Sequence, residues 1–335
     1  MKISASLYSD KNRSIEDLVH ELDSYQIDAF HIDCNDDVSV FEDIHKINAI
    51  SQTIIDLHII TETPDIYIPY LQQHPIEWVT FQYENLPKGY VFPTIAGSEM
   101  GLAIMNNTPI EVFDAYANQC SFILLMTTTP GQSGGSFNTD TFKKIRNFKN
   151  KYPDKRIHVD GGVNAEVSFI LRDLGVYSSV SGSYLLKHAH IGAALYSLKA
   201  AETSSSFLIK DFMIPLEELP VLDIRACSFE SIVRTMDQYK LGFTLFTDKD
   251  ESLAGVTSNA DLRKGILKNM QDLQAIKARD IINLHPIKTN ENNSIHQMLQ
   301  QIKQLPFVIL FMPVVDEQNR LKGAVTFNNL IKGES

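Results

Sequence analysis

Four side chains in this sequence could hold a divalent cation and move a proton: His31 and Asp33 in His31-Ile32-Asp33, His58, and Asp160 in His158-Val159-Asp160-Gly161-Gly162. Each ends an apolar, strand-like run. Alternate residues of a strand share a face, so His31 and Asp33 project to the same side. If the three runs are strands of one parallel barrel, two imidazoles and two carboxylates converge at its C-terminal mouth. Such a mixed nitrogen and oxygen set suits Zn2+, Fe2+, Mn2+ or Co2+. Asp33 and Asp160 are also the pair of metal-linked carboxylates that a proton-shuttling enzyme needs. A His-x-Asp on a strand is a common structural pair as well, so the reading rests on all four residues together.

A second constellation is rich in glycine: Gly131 to Gly135 (with Gly134) after one strand, Gly161-Gly162 after the next, and Gly182-Ser183 after the one beyond. Glycine lets backbone amides approach an anion closely. Gly can simply end a strand, but three such loops in succession favour a phosphate site.

The elements that must position these residues are short strands alternating with amphipathic stretches. Strands are predicted near 2–7, 27–33, 53–60, 76–82, 99–105, 120–126, 155–160 and 177–181. Eight strands separated by helical segments predict an α/β fold of the (β/α)8 TIM-barrel type. Ser14 and Asn164 are expected helix N-caps, and Thr108-Pro109-Ile110-Glu111 combines a cap, a Pro at the first position and a capping-box Glu. Thr203-Ser204-Ser205-Ser206 reads as a linker. Beyond it Lys210-Asp211-Phe212-Met213-Ile214-Pro215 is echoed by Arg279-Asp280-Ile281-Ile282-Asn283. Each is followed by a helix, a strand and a Gly-initiated strand, Gly255-Val256-Thr257-Ser258 and Gly323-Ala324-Val325-Thr326. The expected organisation is a barrel over 1–203 and a smaller α+β pair over 207–335, with repeats of about 207–270 and 275–335.

Composition bounds the partners. The chain of 335 residues has a net charge of −11, which argues against nucleic acid. Residues 1–204 carry 15 Lys and Arg against 25 Asp and Glu, so a phosphate bound there must rely mainly on backbone amides. No apolar run reaches membrane-spanning length, and the start shows no signal-peptide core, so no membrane partner is expected. Cys34, Cys120 and Cys227 form no CxxC, which fits a reduced, cytoplasmic setting. His188, His190 and His285 have no partners at ligand spacing; Trp78 reads as core or interface, and Lys143-Lys144-Ile145-Arg146 as a solvated helix face.

Residues 1–190 resemble the ribulose-phosphate 3-epimerases. The matching stretches are Ile3-Ser4-Ala5-Ser6-Leu7, His31-Ile32-Asp33, Asp56-Leu57-His58, Gly101-Leu102-Ala103-Ile104, Leu125-Met126-Thr127-Thr128-Thr129-Pro130-Gly131, His158 to Asn164 and Ser181-Gly182-Ser183. The resemblance implies a ribulose-phosphate-binding barrel in which His31, Asp33, His58 and Asp160 hold one divalent metal. It makes Asp33 and Asp160 the acid/base pair, and places Ser6, Met126, Gly131, Gly134, Gly135, Gly161, Gly162, Gly182 and Ser183 around a sugar-phosphate substrate. The implied reaction inverts C3 of a ketose phosphate, by default ribulose 5-phosphate to xylulose 5-phosphate, through an enediolate. The chain departs from that family in Asn35-Asp36-Asp37-Val38-Ser39, in Ile60 where a shielding Met is usual, in the order Gly131-Gln132-Ser133-Gly134-Gly135, and in Gln82 where His is common. These changes surround the sugar and leave allulose 6-phosphate as an alternative substrate. An Asp-x-Lys-x-x-Asp motif, which related decarboxylases and formaldehyde-fixing synthases use after the second strand, is absent from Asp33-Cys34-Asn35-Asp36-Asp37-Val38.

Residues 207–335 resemble a pair of cystathionine β-synthase-type (CBS) domains. The resemblance implies a regulatory nucleotide, adenine-type, with Thr257 and Ser258 at the phosphate and Asp261 on the ribose hydroxyls; Asn329 occupies the position equivalent to Asp261 in the second repeat. It also implies a homo-oligomer, dimer or larger. The rival expectation is a nucleotide-sensing scaffold whose barrel turns over weakly.

Overall fold

The computed structural model describes residues 1–128, 135–200 and 207–327. The expected linker at 203–206 lies outside them, as do Gly131, Gly134 and Asn329. The chain divides into two compact units, with the boundary after residue 203.

The first unit is a closed barrel of eight parallel strands. They are β1 (Lys2–Ser6), β2 (Ala29–Asn35), β3 (Ile54–Ile60), β4 (Trp78–Gln82), β5 (Glu99–Ile104), β6 (Phe122–Met126), β7 (Arg156–Asp160) and β8 (Ser178–Ser181). All eight fall within or beside the predicted stretches. Their helices are α1 (Ile15–Ser24), α2 (Val40–Ile50), α3 (Ile68–Gln73), α4 (Asp140–Lys151), α5 (Ala165–Asp173), α6 (Ser183–Leu186) and α7 (Ile191–Lys199).

Two faces of each strand are buried for different reasons. Residues pointing out toward the helices are apolar, among them Ile32, Ile55, Leu57, Val79, Leu102, Ile123 and Val159, all fully buried. Burial of each such side chain stabilises by about 1.5–3 kcal/mol. The alternate, inward positions are often polar: Ser4, His31, Asp56, His58, Thr80, Gln82, His158 and Ser178 are buried inside the ring. Burying polar groups is costly unless they find partners, so an interior of this kind points to function at the strand ends. At the opposite end the ring is plugged by rings packed about His158: Phe122 stacks at 4.1 Å and Tyr177 at 5.6 Å, while Trp78 meets it edge-on at 4.8 Å. Burial pushes the His158 imidazole down to about 3, so it sits there neutral.

Ser14 and Asn164 cap their helices as expected, accepting from the amides of Asp17 and Val167. The expected cap at Thr108 fails: its hydroxyl donates to Glu84, and the segment Ile110–Ala115 is a 3-10 helix, not α. No α-helix separates β4 from β5, which are joined through a short 3-10 turn at Tyr83–Asn85. Lys144 is no solvated side chain either. It donates to the Met105 and Asn106 carbonyls at 2.6 and 3.2 Å, and burial pushes its ammonium down to about 8.

The second unit contains α8 (Ile209–Phe212), β9 (Ile214–Pro215), β10 (Val221–Asp223), α9 (Phe229–Tyr239), β11 (Phe243–Thr247), β12 (Leu253–Ser258), α10 (Asn259–Lys268), β13 (Thr289–Asn290), α11 (Ile295–Lys303), β14 (Phe311–Val315) and β15 (Leu321–Thr326). In both repeats a parallel pair is followed by an antiparallel one: β10-β11-β12 in the first, β13-β14-β15 in the second. Gly255 and Gly323 sit third in their strands, not first. The repeats exchange their leading segments. β9 pairs with β15, Ala324 opposite Ile214, while Asn283 pairs with Val256 of β12 through two amide bonds of 2.8 and 2.9 Å. Neither leading segment therefore completes the sheet of its own repeat.

Candidate metal centre and active site

The parallel register brings the four predicted side chains together. His31 pairs with Asp56 and Asp33 with His58 across β2 and β3, while Asp160 ends β7. One donor atom from each of His31, Asp33, His58 and Asp160 lies within 4.8 Å of the others. His31 Nε2 is 3.4 Å and His58 Nδ1 3.3 Å from Asp33 Oδ1, and His31 Nε2 is 3.9 Å from Asp160 Oδ2.

Neighbours decide which atoms face the centre. Asp56 is fully buried; burial alone would favour its neutral form, but the charge and hydrogen bond of His31 outweigh that and hold it below the usual carboxylate range. As an ionised acceptor it accepts hydrogen bonds from His31 Nδ1 at 2.9 Å and from the Ser4 hydroxyl at 2.9 Å. That leaves His31 Nε2 to the centre. His58 Nε2 faces Gln82 Oε1 at 2.9 Å, leaving Nδ1. His31 Nε2, His58 Nδ1 and Asp33 Oδ1 are buried with no hydrogen-bond partner. Three convergent, desolvated lone-pair atoms would each be costly to leave unpaired. A divalent cation satisfies all three, so the residues fit the implied metal, and the second ring nitrogens are held as metal-ligating imidazoles usually are.

The two carboxylates are unlike. Burial opposes ionisation of Asp33, but His31 and His58 outweigh it and hold the group far below the ordinary range. Burial, reinforced by the charge of Asp33, pushes Asp160 up to about 6. The two carboxyl groups therefore sit in environments that push their proton affinities apart.

Asp33 and Asp160 open into a cleft of about 490 Å3 lined also by Ser6, Gly135, Gly161, Gly162, Gly182 and Ser183. Gly161 and Gly162 adopt φ of +114° and +63°, and a Cβ on either would strike Thr128 or the backbone at Phe137. Only glycine fits both the conformation and the space. Met126, expected at the substrate, is buried beneath this surface with Ala103 and Leu124 and is not on the cleft lining.

A sequence profile described as the Ribulose-phosphate 3 epimerase family matches residues 2–186. The chain belongs to that family. Members of the family are isomerases. Ribulose-phosphate 3-epimerase of Schizosaccharomyces pombe is 26% identical over 224 residues, 62% of this chain and 98% of that one. The enzyme of the same name from Methanocaldococcus jannaschii is 25% identical over 229 residues, 64% of this chain and 95% of its own. Among solved structures, a CBS-pair protein from Arabidopsis thaliana resembles the C-terminal part, at 20% identity over 38% of this chain and 92% of that one, with a TM-score of 0.32.

Several residues of this epimerase-family barrel were not singled out from sequence. Asp56 is one; its place opposite His31 follows from register, and its position two residues before His58 was the available signal. Tyr8 and Lys11 also line the cleft, as does Asn164, which the sequence offered only as a helix cap. Tyr8 donates to Asp43 at 3.0 Å, and burial pushes its phenol well above its ordinary value.

The second unit has its own cleft, of about 1110 Å3, lined by Ser258 and Asp261 with Lys240, Lys264, His285 and Phe307 among others. His285, which has no partner at ligand spacing in the sequence, lies exposed on the lining of this cleft. Ser258 and Asp261 form a reciprocal cap of α10: the Asp261 carboxylate accepts from the Ser258 amide at 3.0 Å and hydroxyl at 2.6 Å. Thr257 does not belong to this cleft. Its side chain is on the buried face of β12 and donates to the Ile281 carbonyl at 2.9 Å.

Proposed function

We propose that this chain is a metal-dependent ketose-phosphate 3-epimerase, with ribulose 5-phosphate and xylulose 5-phosphate as its substrate pair. The observation that carries the reading is the set of buried, unpartnered donors on His31, Asp33 and His58 beside Asp160. A divalent cation held there would supply Lewis-acid stabilisation to the charge that develops on the sugar oxygens. Asp33 and Asp160 supply the rest. They rise from β2 and β7 with β1 and β8 between them, so they can address a sugar from two sides. Asp33 removes the C3 proton of one epimer, and Asp160 returns one to the other face. In the reverse direction the roles exchange. Positioned proton transfer is worth about 10²–10⁴-fold. The amides of Gly161, Gly162, Gly182 and Ser183 are available to the phosphate, which the acidic unit could not hold by surface charge.

Asn35, on the cleft lining, favours a second reading, because a polar group there could meet an additional hydroxyl; allulose 6-phosphate is the candidate. We infer further that the second unit is a CBS pair that binds an adenine-type nucleotide in its cleft, and that binding tunes the barrel. Coupling of this kind is typically about 5–150-fold. The test is a screen of ketose phosphates with the metal-loaded chain, with and without AMP. Highest kcat/KM on ribulose 5-phosphate supports the first reading, and highest on allulose 6-phosphate the second. No turnover with nucleotide still bound would make the chain a sensor.

A further inference from the structure

We propose that Glu84 is a positioning residue for the metal centre: acting through the Gln82 amide, it fixes which ring nitrogen of His58 carries the proton. The inference rests on the reading of His31, Asp33, His58 and Asp160 as a cation site. His58 Nε2 lies 2.9 Å from Gln82 Oε1, and Gln82 Nε2 donates to Glu84 Oε2. The other Glu84 oxygen accepts from the Met105 amide at 2.9 Å and from the Thr108 hydroxyl.

A glutamine has no sense of its own here. Turning its amide end over exchanges acceptor for donor with almost no change of shape. A carboxylate only accepts, so Glu84 draws the NH2 of Gln82 toward itself and leaves the carbonyl for His58. His58 then carries its proton on Nε2, and Nδ1 keeps a lone pair, buried and 3.3 Å from Asp33 Oδ1. With the amide reversed, Nε2 would have to accept and an N–H would point at the cation. His31 needs no such device, because its partner Asp56 is already a carboxylate. Glu84 itself is placed by the segment after β5, whose carbonyls at Met105 and Asn106 are held by Lys144 of α4. A residue at the outer edge of the site thus sets the tautomer of a ligand in its centre.

The experiment is Co2+ titration of the full chain, followed by visible absorption and by the imidazole 15N shifts of the metal-free protein. Wild type is expected to bind one Co2+ per chain; no binding at all would overturn the metal centre and this inference with it. Glu84→Ala is expected to weaken Co2+ binding about 10–100-fold, the usual cost of losing such a support, and to move the His58 proton toward Nδ1. Thr108→Ala, which removes only the loop contact, should leave affinity close to wild type. Gln82→Glu in the Glu84→Ala background should restore binding, since a carboxylate beside His58 has no wrong orientation. Undiminished binding by Glu84→Ala with wild type loaded, or a double variant as weak as Glu84→Ala, would overturn the role of Glu84 while sparing the metal centre.

Discussion

His31 Nδ1 donates a hydrogen bond to Asp56, and that single 2.9 Å bond turns Nε2 of His31 toward Asp33. The bond is made inside the barrel, between Cα partners of β2 and β3. Asp56→Asn keeps the shape but substitutes an amide for the ionised acceptor, and the Ser4 hydroxyl still competes for its oxygen. The expected result is a loss of about 10–100-fold in metal affinity with the fold retained, measured by chelator competition alongside circular dichroism.

Asp33 and Asp160 are expected to be unequal in titration but jointly required for turnover. Asp160→Asn keeps an oxygen for the cation but cannot carry a proton. Turnover should fall by about 10²–10⁴-fold in both directions at matched metal content. Full turnover by this variant would remove Asp160 from the acid/base pair.

Asp173, at the end of α5, offers a pH test away from the site. Burial pushes its carboxyl up to about 8 despite the charge of Lys149. The folded state keeps this proton to higher pH than the unfolded chain, whose carboxyl ionises near the ordinary 3.8. Between those values the native state binds more protons, so this group's contribution is complete below about pH 4 and declines as pH rises toward 8. Asp173→Asn should flatten the decline of melting temperature across that window. An unchanged slope would count against a buried, protonated Asp173.

In the second unit, Asp261→Asn preserves an acceptor for the cap with Ser258 while deleting the charge on the cleft. AMP affinity, measured by calorimetry, is expected to drop at unchanged melting temperature. A drop in both would assign Asp261 to the helix alone, where loss of a cap typically costs about 0.5–2 kcal/mol.

Much of the barrel was legible because its strands are short apolar runs at regular spacing, and the quartet because His31 and Asp33 share a face two residues apart. The supports were hidden by separation in sequence. Asp56 meets His31 only through the register of β2 against β3, and Glu84 meets Thr108 only because the β4 and β5 ends are neighbours. The same contact removed the Thr108 hydroxyl from the cap that its local sequence promised. Lys144 read as solvated on a basic helix face, but the two carbonyls that hold it come from another strand's loop. Thr257 looked like a ligand residue by motif; strand alternation turned it inward while its neighbour Ser258 reached the cleft.

The most direct test of the account is proton NMR of ribulose 5-phosphate incubated in D2O with the metal-loaded chain. Xylulose 5-phosphate should form carrying deuterium at C3, and its formation should be lost when either Asp33 or Asp160 is replaced by Asn. A metal-loaded wild-type chain that leaves the C3 proton in place on every ketose phosphate tried would contradict it.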